Sequence, residues 1–328
     1  MRQLSSTIKI LPAGKSLDRN WLAYQLQGWR TSLRRYKYLY LLLVPAFAYY
    51  LIFHYVPIYG VTLAFKKFKV MQGILASPWA DPLFRYFERL FTNPDFFRAV
   101  RNTFIISFYK IVFAFPAPII LALALNEIPS MKFRKFTQTV MYLPHFISWV
   151  VIGGIMIAML RANEGIINVF LGLFGVPSRQ YMTDPNYFRA VLVISHIWKN
   201  IGWGAIIYLA ALAGVDPTLY EAAIVDGARR VHLLFHITIP QIKSTIIIML
   251  ILTLGRVMNV GFEQIFILYS LSVYEVADII QTFVYRAGII GMQYSLATAA
   301  GLFRSVISLL FIITSNSIAK RMGERGIY

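Results

Sequence analysis

Apolar residues in this chain run in long unbroken blocks, separated by shorter polar or basic stretches. A bilayer core of about 30 Å takes about 20 mainly apolar residues as a helix. Six blocks reach that length: 38–65, 100–125, 139–160, 190–213, 244–270 and 294–319. Strands of a membrane barrel would instead alternate apolar and polar residues at every second position. The pattern therefore predicts an all-α integral membrane protein with six transmembrane helices. It divides the chain into a basic N-terminal segment 1–37, a transmembrane domain 38–319 that carries a polar loop at 214–243, and a short tail 320–328.

Composition agrees with this division. Of 328 residues, 58% are hydrophobic and only 14% are charged, about half the charged share of an average soluble domain. A soluble protein of this size has too little interior for so much apolar surface. The net charge of +18 would suggest nucleic acid in a soluble chain. Here it reads as basic loops that orient the protein in a bilayer, with no nucleic-acid partner. Six spans put both ends on one side. Lys and Arg number 17 in the segments on that side and 11 on the other, with the remainder inside spans. That bias predicts a multi-pass protein of the cytoplasmic (inner) membrane with both termini in the cytoplasm. The loop 65–101 works against it with seven basic residues. No apolar leader core follows Met1, so no cleaved signal is expected. Residues 21–38 mix aromatic and basic side chains, which fits either a surface helix or a solvated tail. There are no cysteines, which excludes disulfides and thiolate-held metals.

The polar loop has its own architecture. It reads GVDPTLYEAAIVDGARRVHLLFHITIPQIKST over residues 214–245. Asp216 can cap a helix whose first position suits Pro217, and Thr218 with Glu221 has capping-box spacing. Gly227 can end that helix in the left-handed region. A second amphipathic turn, 231–237, leads to Pro240, which is expected to open the fifth span. The product is a helical bracket outside the membrane.

Glu221, Ala222, Ala223, Gly227, Ile237 and Pro240 fall at spacings that resemble the EAA motif of permease subunits in binding-protein-dependent ABC importers. Ile239 stands where the motif usually has Leu. The stretches 261–289 and 294–328 look like the carbohydrate class, and within it the branch that imports oligosaccharides or polysaccharide fragments such as alginate. The likeness covers residues 35–328. It implies a non-catalytic subunit that pairs with a second, homologous permease. Two ATPase subunits would hold ATP and Mg and dock on the bracket, and an extracytoplasmic solute-binding protein would deliver the glycan. No cofactor is implied in this chain.

Ionisable groups at membrane depth are costly and often functional. Arg256, Asn259 and Glu263 are expected to form one polar stripe on the fifth helix, beside Gln264, either lining a substrate path or bracing helices. The resemblance favours the path. Span four supplies Trp198, Asn200, Trp203 and Tyr208, which can hold a sugar by aromatic faces and hydrogen bonds or anchor at the interface. Lys110 and Lys199 could line the path or snorkel to the surface. Arg256 and the basic outer loops would either favour an anionic glycan or, in the loops, meet anionic lipid headgroups or a binding protein. The string AGKS at 13–16 lacks the earlier Gly of a phosphate loop, and His232 with His236 lacks a third metal ligand. Two competing readings, a secondary sugar transporter and a membrane-embedded glycosyltransferase, leave the bracket without a role.

Overall fold

A computed structural model describes residues 35–321. The surface segment considered at 21–38, the string at 13–16 and the tail beyond Arg321 lie wholly or mostly outside the described residues. The described chain is helical, and its only β pairing is an isolated bridge between Lys66 and Trp79. Five helices are long and apolar enough to cross a membrane: Lys37–Phe65, Pro94–Asn126, Pro185–Ala213, Arg230–Gly255 and Tyr294–Arg321. A bent pair, Met131–Phe146 and Trp149–Leu160, passes the same test of length and composition when its two halves are taken together, and falls where the sequence predicts the third span. The chain divides into two compact units, Met1–Val61 and Thr62–Tyr328. The first unit contains most of span one, with Pro45 inside its helix and a run of ring contacts among Tyr49, Tyr50, Phe53 and His54.

Two expected boundaries move because side chains cap the helices earlier. Span two begins at Pro94 rather than near 100, since Asn93 accepts from the amides of Asp95 (2.9 Å) and Phe96 (3.4 Å). Arg101 is thereby part of a helix and not of a loop. Span four begins at Pro185, capped by Asp184 through the Asn186 amide at 2.9 Å. In both cases a proline holds the first position, where no amide is needed.

Two expected continuous spans are broken. The third is bent by 103° where Leu143–Phe146 gives way to Trp149. Pro144 has no amide to continue the helix, and Ser148 caps the next one through the Val151 amide at 3.4 Å. The fifth ends at Gly255. Residues 256–261 form a non-helical break closed by Gly261 at φ +89°, and a short helix, Phe262–Leu268, follows.

Packing holds these pieces around one another. Phe96, Phe283 and Phe303 bring spans two and six and the 280–285 helix together, with ring centroids 5.4 to 5.5 Å apart. Val257 and Met258, within the break, are buried in the same cluster. Span four passes so close to the bend of span three that a Cβ on Gly202 would overlap the Met141 carbonyl. Gly202→Ala is therefore expected to lower thermal stability by about 1–3 kcal/mol through overpacking. Gly301→Ala, where an added Cβ meets nothing within 4 Å, is the matched control, and a melting curve of the purified protein compares them.

Candidate functional site

The bracket folds as its sequence requires. Its helix runs Pro217–Val225, with Pro217 at the first position and Asp216 accepting from the Thr218 amide at 2.9 Å. That bond holds the Asp216 carboxyl below the usual carboxylate range. Thr218 is thus the donor to the cap and not the cap itself. At the other end the Gly227 amide bonds to Ile224 O (3.0 Å) and the Ala228 amide to Ala223 O (2.9 Å). This is the paired C-terminal closure that needs a left-handed residue, and Gly227 has φ +81°. Glu221, Ala222, Ile224 and Val225 are exposed, Val225 at 86%. Tyr220 and Thr238 join their hydroxyls at 3.1 Å, tying this helix to the root of span five.

The second half of the bracket differs from expectation. Arg230–Gly255 is one continuous helix, so Ile237 and Pro240 lie inside it and Pro240 opens nothing. A π turn, Leu234–Thr238, makes this possible. The Ile239 amide reaches back five residues to Leu234 O, so the ladder skips the donor that Pro240 lacks. The same device precedes Pro116, where Phe115 bonds to Lys110 O at 3.0 Å, and Pro57, where Val56 bonds to Leu51 O.

A cavity of about 440 Å³ lies among spans two, four and five. Of the residues singled out from sequence, Asn200, Trp203, Tyr208, Arg256 and Asn259 line it. Trp203 stacks on His145 at 4.6 Å with nearly parallel rings, and His145 Nδ1 faces Asn200 Oδ1 at 3.3 Å. Asn259 Oδ1 accepts from Gln281 at 2.9 Å. The lining includes Lys110 and Arg256 and no carboxylate.

Trp198, Glu263 and Gln264 are not in that lining. The expected stripe of Arg256, Asn259 and Glu263 on one helix face does not exist, because the helix carrying it stops at Gly255. Glu263 is exposed in the first turn of the next helix. Gln264 is 1% exposed and binds Leu192 O (2.7 Å) and Ser195 Oγ (2.9 Å) on span four.

Neither interior lysine snorkels. Lys199 Nζ donates to the carbonyls of Pro144 (3.4 Å), His145 (2.9 Å) and Ile147, all in the bend of span three. Lys110 Nζ donates to Val260 O and Gln264 Oε1, each at 2.7 Å. Ser107, one turn earlier, donates to Val257 O. Hydropathy cannot reveal these roles, since a lysine reads as a defect in an apolar block whatever it binds.

A second polar cluster gathers the segment between spans five and six. Asp278, fully buried, takes both terminal nitrogens of Arg286 (2.6 and 2.7 Å) and the Thr282 hydroxyl (2.7 Å). These bonds hold the Arg286 guanidinium above its ordinary range. Arg189 bridges Asn102 (2.9 Å) and Val276 O (3.1 Å).

Lys199→Met tests the bend directly. It leaves up to three buried carbonyls without their donor, at about 1–3 kcal/mol for each unsatisfied group. A drop in melting temperature clearly larger than that of an exposed-site control such as Ser305→Ala is the expected result.

Residues 114–324, which include the whole bracket and the parts of spans four and five that line the cavity, match the family model described as binding-protein-dependent transport system inner membrane component. The polygalacturonan/rhamnogalacturonan transport system permease protein YteP of Bacillus subtilis (strain 168) is 42% identical over 292 residues, covering 89% of this chain and 90% of that one. A crystal structure of a bacterial ABC transporter involved in the import of the acidic polysaccharide alginate contains a chain that superimposes with a TM-score of 0.83 at 40% identity, covering 90% of this chain and 99% of that chain. A bacterial alginate ABC transporter in complex with an alginate pentasaccharide-bound periplasmic protein gives 0.83 at 39% identity with the same coverage. The chain belongs to the inner membrane components of binding-protein-dependent transport systems, the permeases of ABC importers.

Proposed function

We propose that this chain is a non-catalytic permease subunit that passes anionic oligosaccharides, fragments of uronate-containing polysaccharides, across the cytoplasmic membrane. The observation that carries the cargo reading is the lining of the cavity: the exposed guanidinium of Arg256, the amine of Lys110 and no acid. A guanidinium binds a carboxylate through paired hydrogen bonds, and the exposed ring of Trp203 offers a flat face to a sugar. The names of its similar proteins, which concern polygalacturonan, rhamnogalacturonan and alginate, support the same class of cargo.

In this reading the bracket at 216–240 faces the cytoplasm, as do both termini, and seats one of two ATPase subunits that hydrolyse ATP with Mg. A second, homologous permease completes the pathway, and a solute-binding protein delivers the glycan from outside. Closure of the ATPase pair on ATP moves the bracket, and the spans rock between outward- and inward-facing states. Glu221 supplies an acceptor to the ATPase, while Ala222 and Ala223 let the helix approach closely. Trp203, Asn200, Tyr208, Asn259 and Arg256 form the path. Trp198, Glu263 and Gln264, which lie away from the cavity, are not part of it.

The cargo is tested by substrate-stimulated ATP hydrolysis in the reconstituted complex, with uronate and neutral oligosaccharides of equal length. Uronates are expected to stimulate at lower concentration, and Arg256→Gln to raise that concentration about 10- to 100-fold, as loss of a charge-assisted bond implies. Stimulation by neutral sugars alone would overturn the cargo and leave the permease in place.

Coupling is tested at Gly227. No atom lies within 4 Å of an added Cβ there, so the strain that Gly227→Val introduces at the Cβ comes from its positive φ, at about 1–2 kcal/mol. Uptake is expected to fall while the amount of protein in the membrane fraction stays unchanged. Normal uptake and normal ATPase stimulation would overturn the role given to the bracket.

A further inference from the structure

The break at 256–261 follows the last turn of span five and takes the carbonyls of the buried residues Val257 and Val260 out of the helical ladder, where an unpaired one is costly. Span two answers it with two side chains. Ser107 and Lys110 are three residues apart and so share one helix face. Ser107 Oγ donates to Val257 O, and Lys110 Nζ donates to Val260 O at 2.7 Å. The two acceptors are themselves three residues apart, so the pair on the helix matches the pair in the break. Lys110 also donates to Gln264 Oε1 at 2.7 Å, and the amide nitrogen of Gln264 is bonded to span four. The break is thereby held from both sides. Val257 and Val260 are buried, while Arg256 and Asn259 are exposed and open on the cavity.

We propose that Ser107 and Lys110 are positioning residues for the break: they hold it in the one conformation that presents Arg256 and Asn259 together to the cavity, and so set the carboxylate preference of the path without binding the glycan themselves. An ammonium has three donors, and two of those on Lys110 are committed to the break. Once these bonds are lost, the break keeps only the packing of Val257, Met258 and Val260 and the Gln281 bond to Asn259, and Arg256 is aimed less tightly. The selectivity half of this assignment rests on the cargo reading above; the positioning half does not.

The chain has no cysteine, so Asn259→Cys in the break and Met71→Cys, 98% exposed in the loop after span one, each give a single reporter. Labelling by a small charged thiol reagent is measured in the assembled complex without glycan. Adding Lys110→Met is expected to speed labelling at position 259 about 10-fold or more, the loss of bonds to a charged donor, and to leave position 71 unchanged. Ser107→Ala, a milder change, is expected to act in the same direction with a smaller rise, and it decides the matter if the lysine variant does not assemble. An unchanged rate at 259, or an equal rise at 259 and 71, would overturn the assignment. In the cysteine-free chain, Lys110→Met or Ser107→Ala should also narrow the difference between uronate and neutral glycans, as Arg256→Gln does. Faster labelling with undiminished uronate preference would overturn the selectivity half. A parent complex with no uronate preference would sink the cargo reading alone, and the labelling result would still decide the positioning.

Discussion

A backbone carbonyl left open in hydrocarbon costs several kcal/mol, and the second unit of this chain is arranged around two places where that cost arises. Span three bends at 143–148 and span five stops at 256–261. Each interruption is answered by a lysine from a neighbouring helix, Lys199 for the bend and Lys110 for the break. A third lysine, Lys66, does the same in the loop after span one, donating to the carbonyls of Ile74 (2.8 Å) and Leu75 (3.2 Å). Buried ammonium groups are themselves expensive, so each exchange is stable only as a matched set. That matching ties span two to span five and span four to span three. It explains why charges survive in blocks that are otherwise apolar.

Interruptions of a different kind leave the ladder intact. At Pro57, Pro116 and Pro240 a π turn lets the preceding residue donate five back, and the helix continues. A proline in a helix thus need not end it when the turn before it is widened. For this reason the bracket flows into span five without a hinge at Pro240.

The local features of the bracket were legible in the sequence. A cap, its proline and a terminal glycine lie within 12 residues, from Asp216 to Gly227, and each acts through its own backbone. Where spans begin was less legible, because Asn93 and Asp184 cap earlier than hydropathy turns apolar. The cavity was only partly legible. Asn200, Trp203, Tyr208, Arg256 and Asn259 stood out as polar or aromatic groups at membrane depth, and they do converge. The stripe drawn through Glu263 failed because helical spacing was carried across a break that composition does not announce. Gly261 was the one local sign of it. Ser107 and His145 were missed, and Lys110 was singled out without its bonding role, because their partners lie on other helices, at separations of 55 to 150 residues.

Spans four and five both join bracket to cavity, and the second of them leads directly to Arg256. The helix Arg230–Gly255 begins in the bracket and ends one residue before Arg256. At 1.5 Å per residue its 26 residues span about 39 Å. Its flanks are constrained along the way: Ile242 packs with Ala205, Tyr208 and Leu212 of span four, and Gly255 lies against Ile312 of span six. A helix held this way moves as a rod more readily than it bends. Its two compliant points are the π turn at 234–238, beside the Tyr220–Thr238 contact, and the break at 256–261, where Ser107 and Lys110 take hold. In the proposed coupling, a displacement of the bracket that passes the first would reach the second, and there it would change the angle at which Arg256 enters the cavity. The proposed clamp on the break would then have two roles that follow from one geometry: fixing the wall while the rod is still, and serving as the fulcrum when the rod moves.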